Sequence, residues 1–436
     1  MSGIVAIVGR PNVGKSTLFN RLVENRQAIV DDMSGVTRDR NYGKAYWTDR
    51  EFSLIDTGGY VPESEDVFEK AIREQVHIAM EEADVLLFMV DARAGITPID
   101  REIAHMLRQQ AKKVILATNK VDSPQHIELT YEFYELGLGE LYGVSAINGT
   151  GTGDMLDYLL TLLPEEQEEK EEDGIPRFAV VGRPNVGKSS FINVLLGHDA
   201  NIVTSIAGTT RDSVDTRFKA FDQDLILVDT AGLRKRAKVQ ENIEFYSTLR
   251  TIRAIEECDV AILLLDATMG IEAQDLSIFN QVLKNKKGIV IAVNKWDLIE
   301  KDTATAKTFE DNIRHRLAPM TDVPIIFTST VEKKRLLKVL ERAKQVFHDK
   351  EQRVSTSELN EVMLAAIARH HPPTYRGRIV RIKYVTQVIP AKCPTFLFFT
   401  NHPQHVQESY RRYLENQLRA HFGFTGVPMN LFFRKK

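Results

Sequence analysis

The octapeptide GRPNVGKS occurs twice in this chain, letter for letter, at residues 9–16 and 182–189. The residues that follow keep step in the two copies. Thr37 and Thr210, each in a T-R-D run, lie 22 residues after Lys15 and Lys188. DTGGY starts at Asp56 and DTAGL at Asp229, each 47 residues after the first glycine of its octapeptide. NKVD starts at Asn119 and NKWD at Asn294, 110 and 112 residues on. Several words repeated at matched distances mean a duplicated domain. Each octapeptide is entered by an apolar strand pattern, IVAIVG or RFAVVG, and left by a helical one, STLFNRLV or SSFINVLL. Strand, loop and helix in that order are the setting in which G-x-x-x-x-G-K-[ST] cradles phosphate. The expected fold is α/β: two tandem P-loop domains with mostly parallel, doubly wound sheets, then a smaller α+β domain.

The other boundaries follow from composition. PEEQEEKEEDGIP (164–176) holds seven acidic residues between two prolines and reads as a solvated linker. The expected layout is a first domain at 1–163, an acidic linker at 164–175, a second domain at 176–350 and a tail domain at 351–436. Apolar runs such as VLLFMV (85–90) and VAILLL (260–265) have about six residues. A membrane-spanning helix needs about 20, so no span is expected, and these runs read as strands buried on both faces. Two cysteines in 436 residues point to a reducing compartment. The opening residues carry no charged, apolar and cleavage-site pattern of an exported chain, so a cytoplasmic location is expected. The net charge of −3 hides an asymmetry: residues 352–436 carry 13 Lys and Arg against four Glu and no Asp. A polyanionic partner suits that tail.

The loop residues supply phosphate chemistry. Gly14 and Gly187 permit backbone turns that aim successive N–H groups at a phosphate, and the helix N-terminus adds partial positive charge. Lys15 and Lys188 are placed to reach the β- and γ-phosphates, and Ser16 and Ser189 to offer a hydroxyl to Mg2+. The candidate nucleotide loops are thus Gly9, Arg10, Pro11, Asn12, Val13, Gly14, Lys15, Ser16 and Thr17, with Gly182, Arg183, Pro184, Asn185, Val186, Gly187, Lys188, Ser189 and Ser190 as their counterparts. Asp56 and Asp229 end the strands FSLID and LILVD, where a carboxylate can hold Mg2+ directly or through water. Thr57, Gly58, Gly59 and Tyr60 follow the first, and Thr230, Ala231, Gly232 and Leu233 the second. Thr37 and Thr210 sit on loops that read as switches, ordered by Mg2+ and the γ-phosphate. Candidates for the chemical step are Lys15, Thr37, Asp56 and Gly59, with Lys188, Thr210, Asp229 and Gly232.

The base is read elsewhere. In Asn119, Lys120, Val121, Asp122 and in Asn294, Lys295, Trp296, Asp297, the aspartate can accept the guanine N1–H and exocyclic N2–H2. Adenine lacks that donor pair and leaves the carboxylate unpaired. The asparagine braces the loop or meets N7, and the lysine stem packs on the base.

In the tail, SELNEVMLAAIARH (357–370) and ESYRRYLENQLRAHFG (408–423) have helical spacing, whereas 378–388, 395–400 and 427–433 read as strands. GFTG (423–426) matches a G-x-x-G that clamps nucleic-acid backbone. Its place between a helix and a strand suits a helix stop and turn better. Arg378, Arg381, Lys383, Arg411 and Arg412 offer phosphate contacts instead. Of Phe396, Phe398 and Phe399, at least two are expected in the core.

Two complete GTPase motif sets followed by a basic α+β tail resemble the bacterial tandem GTPases of the Der (EngA) family, along essentially the whole chain. The resemblance implies two Era-like GTPase domains and a KH-like domain. It further implies GTP or GDP with Mg2+ as ligands and a monomer acting in maturation of the large ribosomal subunit, with its rRNA and proteins as partners. SAINGTG (145–151) resembles the family's base-contacting loop through Ser145 and Ala146; the second copy departs from it, with Ser329 and Thr330 in TSTVEKK (328–334). That change leaves the guanine preference of the second site intact and puts its affinity in question. The basic run LRKRAKV (233–239) is either a solvated face or a contact made when the nucleotide state changes. The alternative for the whole chain is a GTPase whose tail is a protein-interaction or intramolecular regulatory module without direct rRNA contact.

Many GTPases place a glutamine where Tyr60 and Leu233 stand, so intrinsic hydrolysis is expected to be slow and open to acceleration by a partner. In related GTPases an asparagine at the position of Asn12 and Asn185 coordinates K+ where a stimulating arginine would otherwise supply charge; the alternative is a brace for the loop. GTP hydrolysis should therefore run faster in KCl than in NaCl, and Asn12→Ala with Asn185→Ala should abolish the difference. Equal wild-type rates in the two salts would remove the K+ assignment.

Overall fold

The computed structural model describes residues 3–27, 42–48, 50–57, 76–77, 79–80, 83–109, 112–164, 174–197, 202–207, 214–221, 223–228, 243–300, 305–374, 377, 379–389 and 391–435. The chain divides into two compact units, one of Met1–Glu172 with Gln240–Arg250 and the other of Asp173–Val239 with Thr251–Lys436.

The first unit begins with β1 (Ile4–Val8), buried at every position, which runs through the first octapeptide into α1 (Lys15–Gln27). Then come β2 (Tyr42–Trp47), β3 (Arg50–Asp56), β4 (Val85–Asp91), α2 (Pro98–Arg108), β5 (Lys113–Asn119), β6 (Leu141–Gly143) and α3 (Thr152–Leu162). The sheet order is β2-β3-β1-β4-β5-β6, and only the β2–β3 pair is antiparallel. Such a sheet must be covered on both faces, which is why β1 and β4 are apolar without alternation. Leu18, Phe19 and Leu22 of α1 and Met155, Leu156 and Leu159 of α3 form the core cluster with the sheet. Parallel register places Asp91 opposite Asn119, and Ile7 opposite Asp56, so motif residues distant in sequence arrive at the same end of neighbouring strands. The chain winds to opposite sides from β1, which leaves a crevice beyond its carboxyl end.

The second half of the chain repeats this plan. It comprises β7 (Arg177–Val181), α4 (Lys188–Gly197), β8 (Ile202–Ala207), β9 (Val214–Ala220), β10 (Gln223–Leu227), α5 (Ile243–Glu257), β11 (Val260–Asp266), α6 (Ala273–Lys284), β12 (Gly288–Asn294), α7 (Thr305–Arg316), β13 (Ile325–Phe327) and α8 (Leu336–Glu351). The order is β13-β12-β11-β7-β10-β9-β8, parallel from β13 to β10 and antiparallel beyond. One face packs against α5, α6 and α7 through Ile255, Phe279 and Ile313. The other packs against α4 and α8.

The tail adds α9 (Thr356–Arg369), β14 (Ile382–Gln387), β15 (Thr395–Thr400), α10 (Glu408–Phe422) and β16 (Asn430–Lys435). β14 pairs antiparallel, and β16 parallel, with β15. The strand read over 378–388 starts only at Ile382, because the Asn401 side chain takes the partner's place: the Arg381 N–H donates to its Oδ1 and its Nδ2 donates to the Ile379 carbonyl. Phe396 and Phe398 are fully buried, whereas Phe399 is half-buried.

The tail has no separate core. Leu359, Val385, Phe396, Leu414 and Phe424 belong to the same apolar cluster as Val290, Val339 and Val346 of the second α/β half. The GFTG turn makes the backbone join. The Gly426 N–H donates to the Asp322 carbonyl and the Ile289 N–H donates to the Gly426 carbonyl, both at 2.8 Å. Arg419 closes the turn from inside, donating to the Phe424 and Val427 carbonyls. Through Phe424 and Gly426 the turn is thus committed to packing. Gly426 has φ +72°, and a Cβ there would lie 2.5 Å from the Ile289 carbonyl oxygen, whereas Gly423 (φ +90°) faces open space. Gly426→Ala should therefore cost about 1–3 kcal/mol and more than Gly423→Ala, which meets backbone strain alone. Thermal unfolding of the two variants checks the order; equal shifts would overturn it.

Candidate functional site

Each octapeptide forms a tight loop between a buried strand and a helix. Gly14 and Gly187 adopt φ +102° and +101°, and a Cβ at either would lie 2.2 or 2.4 Å from Nδ2 of Asn119 or Asn294. The close approach serves a bond. Asn119 Nδ2 donates to the Val13 carbonyl at 2.7 Å, and its Oδ1 accepts from the Ala146 N–H at 2.9 Å. Asn294 does the same with the Val186 carbonyl at 2.9 Å and the Thr330 N–H at 3.2 Å. One buried amide thereby joins the phosphate loop to the base loop in each half, and Thr330 keeps the backbone contact that Ala146 makes.

Lys15 is folded back on its own loop, donating to the Gly9 and Arg10 carbonyls at 2.7 and 2.8 Å. Lys188 meets the Gly182 and Arg183 carbonyls at 2.6 and 2.5 Å. Burial lowers the Lys15 ammonium to about 8, against the opposing pull of Asp56. The Ser16 hydroxyl donates to Asp56 Oδ2 at 2.5 Å. A hydroxyl and a carboxylate converging there are hard oxygen donors of the kind Mg2+ takes. Thr57 turns its hydroxyl inward, to the Ile7 carbonyl. Asn12 and Asn185 are exposed and left-handed, φ 64° and 63°. Pro11, Thr17, Pro184, Ser189 and Ser190 lie on the same two loops and helix starts. Thr37, Gly58, Gly59, Tyr60, Thr210, Asp229, Thr230, Ala231, Gly232, Leu233, Arg378 and the run 233–239 lie outside the described residues.

At the base end, Lys120 and Lys295 are left-handed, φ 71° and 60°, and each is tied at 2.6 Å to a carboxylate, Asp91 or Asp266. Burial alone would raise the Asp266 carboxyl. The hydrogen bonds from Lys295 and Thr268 outweigh it and hold the group below the ordinary carboxylate range. Val121 is buried beneath the first loop, and Trp296 packs on Phe327 and Phe309 beneath the second. Asp122 receives the Ser145 hydroxyl on Oδ1 and the Arg93 guanidinium on Oδ2, both at 2.6 Å.

The sequence motifs missed a second ring of residues. Asp100 and Asp275 are completely buried and complete capping boxes at the starts of α2 and α6. The same carboxylates accept Nε of the loop arginines, Arg10 at 3.3 Å and Arg183 at 2.9 Å. Glu272 adds a second contact to Arg183 at 2.6 Å. The segments 91–100 and 266–275 thus tie the phosphate loop to the base loop from outside. The signal was present as D-A-x-x-G at 91–95 and 266–270, repeated at nearly matched distance but without a known motif to mark it.

Fold and site define a tandem P-loop GTPase with a KH-like C-terminal domain. A family model described as 50S ribosome-binding GTPase matches residues 4–120 and again 177–295. One described as KH-domain-like of EngA bacterial GTPase enzymes, C-terminal, matches 353–434. GTPase Der of Flavobacterium johnsoniae is 57% identical over 436 residues, covering 100% of both chains. GTPase Der of Porphyromonas gingivalis is 53% identical over 438 residues, again covering 100% of both. A crystal structure of Era with MgGDPNP and a 16S ribosomal RNA segment is 20% identical and covers 60% of this chain and 93% of that one; its TM-score of 0.30 carries no argument. The chain belongs to the GTPase Der family and is a GTPase. Among the described residues no helix is long and apolar enough to cross a membrane.

The state of Lys15 gives a measurable linkage. With its pKa lowered to about 8, the free site loses the ammonium proton as pH rises through that value. Phosphate oxygens favour the charged form and raise the pKa on binding. Nucleotide binding at the first site should therefore take up close to one proton above pH 8 and weaken there, with little uptake at pH 6.5. Calorimetry in buffers of different ionisation enthalpy reads the uptake; none at alkaline pH would contradict it.

Proposed function

We propose that the chain is a GTP-switched factor in assembly of the large (50S) ribosomal subunit, a cytoplasmic monomer that docks on rRNA and ribosomal proteins in one nucleotide state and leaves in the other. The observation that carries this reading is the single apolar core shared by the second GTPase half and the basic tail. A rearrangement around one nucleotide is then transmitted to the tail through packed side chains rather than along a linker.

In this reading Lys15 and Lys188 exchange the loop carbonyls for the β- and γ-phosphate oxygens, while Gly9–Thr17 and Gly182–Ser190 present backbone N–H groups to them. Asp122 and Asp297 read guanine, with Lys120 and Lys295 flanking the base and the 145–146 and 329–330 backbones closing its far edge. Ser16, Thr37 and Asp56, and Ser189, Thr210 and Asp229, are the Mg2+ holders, and Asn12 and Asn185 the K+ holders. Bound Mg2+ supplies charge neutralisation between the β- and γ-phosphates, and K+ adds charge beside them. Gly59 and Gly232 offer backbone N–H groups to the γ-phosphate. Tyr60 and Leu233 cannot orient water by a side-chain amide, which makes hydrolysis slow until a partner completes the site. Exposed Arg381, Lys383 and Arg412 supply the tail's phosphate contacts.

Co-sedimentation with purified large and small subunits, in a GTP analogue, GDP or no nucleotide and at two salt concentrations, tests this. Binding should be confined to the large subunit, depend on nucleotide, and fall steeply with salt. Lys15→Ala and Lys188→Ala should each weaken it. Absence of binding in every state would end the reading and favour the tail as a protein-interaction module.

A further inference from the structure

The two base-reading carboxylates stand in different surroundings. In the first half both oxygens of Asp122 are engaged, Oδ1 by the Ser145 hydroxyl and Oδ2 by the Arg93 guanidinium. In the second half, Oδ1 of Asp297 is buried and has no hydrogen-bond partner among the described residues. The difference originates at one position of an otherwise repeated turn. Arg93 and Thr268 both follow the turn's aspartate by two residues, and their backbone N–H groups donate to Oδ1 of Asp91 at 3.0 Å and of Asp266 at 2.9 Å. From there Arg93 extends to Asp122. Thr268 is short and returns its hydroxyl to Asp266 at 2.7 Å. Among the described residues no arginine therefore stands at the corresponding place beside Asp297.

We propose that Arg93 gates the guanine-reading carboxylate of the first site, and that the lack of such a gate in the second makes the two sites unequal in their uptake of guanine nucleotide. The proposal rests on the reading of Asp122 and Asp297 as guanine acceptors. Guanine brings two donors, N1–H and N2–H2, and needs both carboxylate oxygens. Each carboxylate oxygen has two lone-pair sites, so guanine can share Oδ1 with the compact Ser145 hydroxyl, whereas the wider Arg93 guanidinium on Oδ2 has to swing away before the base enters. The arginine side chain is 53% exposed, so it can leave into water at modest cost. A site that binds only in its open fraction loses apparent affinity by that fraction. The loss appears in association, because once guanine is seated Arg93 is already displaced. At Asp297 an unpaired buried oxygen awaits its donor, and occupation relieves it. The gate works against the doubt that Thr330 raised about the second site: the first site is the slower to fill.

Each site can be read in the full chain. Asp297→Asn removes guanine binding from the second site, and Asp122→Asn from the first, if the two aspartates read guanine. Stopped-flow fluorescence with N-methylanthraniloyl-GDP then follows the remaining site. In the Asp297→Asn background, Arg93→Thr should speed association about fivefold with little change in dissociation, equivalent to about 1 kcal/mol, the size of an exposed ion pair. Arg93→Lys, which keeps the charge, should stay near the wild-type rate. Raising NaCl from about 50 to about 500 mM should shrink the Arg93→Thr effect, since salt screens the exposed pair. In the Asp122→Asn background, Thr268→Arg should slow association. Unchanged or slower association in Arg93→Thr would overturn the gate. Full guanine binding to the Asp122→Asn, Asp297→Asn double variant would instead overturn the reading of the aspartates themselves.

Discussion

A buried asparagine amide holds each nucleotide site together. Asn119 and Asn294 end the strands β5 and β12, beside Asp91 and Asp266 at the ends of β4 and β11. From there each amide donates across to the phosphate loop and accepts from the loop that faces the base. A primary amide carries both donor and acceptor, so one side chain can bridge two backbones that have no ladder to join them. The glycine at position 14 or 187 is required because this amide lies where a Cβ would be. The glycine loop and the N-K-x-D loop are thereby set at a fixed separation, the kind of preorganisation that binding and charge stabilisation need.

Around that amide lies a second brace. The capping boxes of α2 and α6 share their buried aspartates with the loop arginines, so each helix start also anchors a phosphate loop. One of the two carbonyls that hold Lys15 is that of Arg10, whose side chain is the anchored one. Hydrogen bonds to charged groups are worth about 1.5–3 kcal/mol each, and a buried carboxylate deprived of its partner costs more. The duplication retained this device in both halves and varied the residue two positions after the turn's aspartate, Arg93 against Thr268. The tail is bound by the opposite physics. It is an apolar continuation of the second half, pinned by two backbone bonds at Gly426. Arg419, whose side chain is 8% exposed, satisfies the carbonyls of the turn.

Much of this was legible in the sequence, because the informative signals are local. A glycine loop between an apolar strand and a helix is specified by a dozen consecutive residues, and the repeat fixes its partner motifs by distance alone. Strands such as VLLFMVD and VAILLLD declare by their unbroken apolarity that both faces are covered, hence a parallel sheet. The tail's helices at 356–369 and 408–422 follow the apolar spacing of the residues within them. The GFTG turn shows the limit: its letters suit a nucleic-acid clamp or a helix stop, and only its neighbours decide.

The sequence by itself determined the two P-loops, the N-K-x-D words, the duplication and the class of sheet that carries them, since each is written in contiguous residues or a constant spacing. The tertiary structure alone decided what those residues meet. Arg10 finds Asp100 ninety positions away, Asn119 finds Val13 across 106, and Gly426 finds Ile289 across the domain boundary. Such pairs arise from the order and register of strands and from which helix starts beside which loop. No periodicity within a segment records them, because the partner's position is set by the packing of the whole sheet.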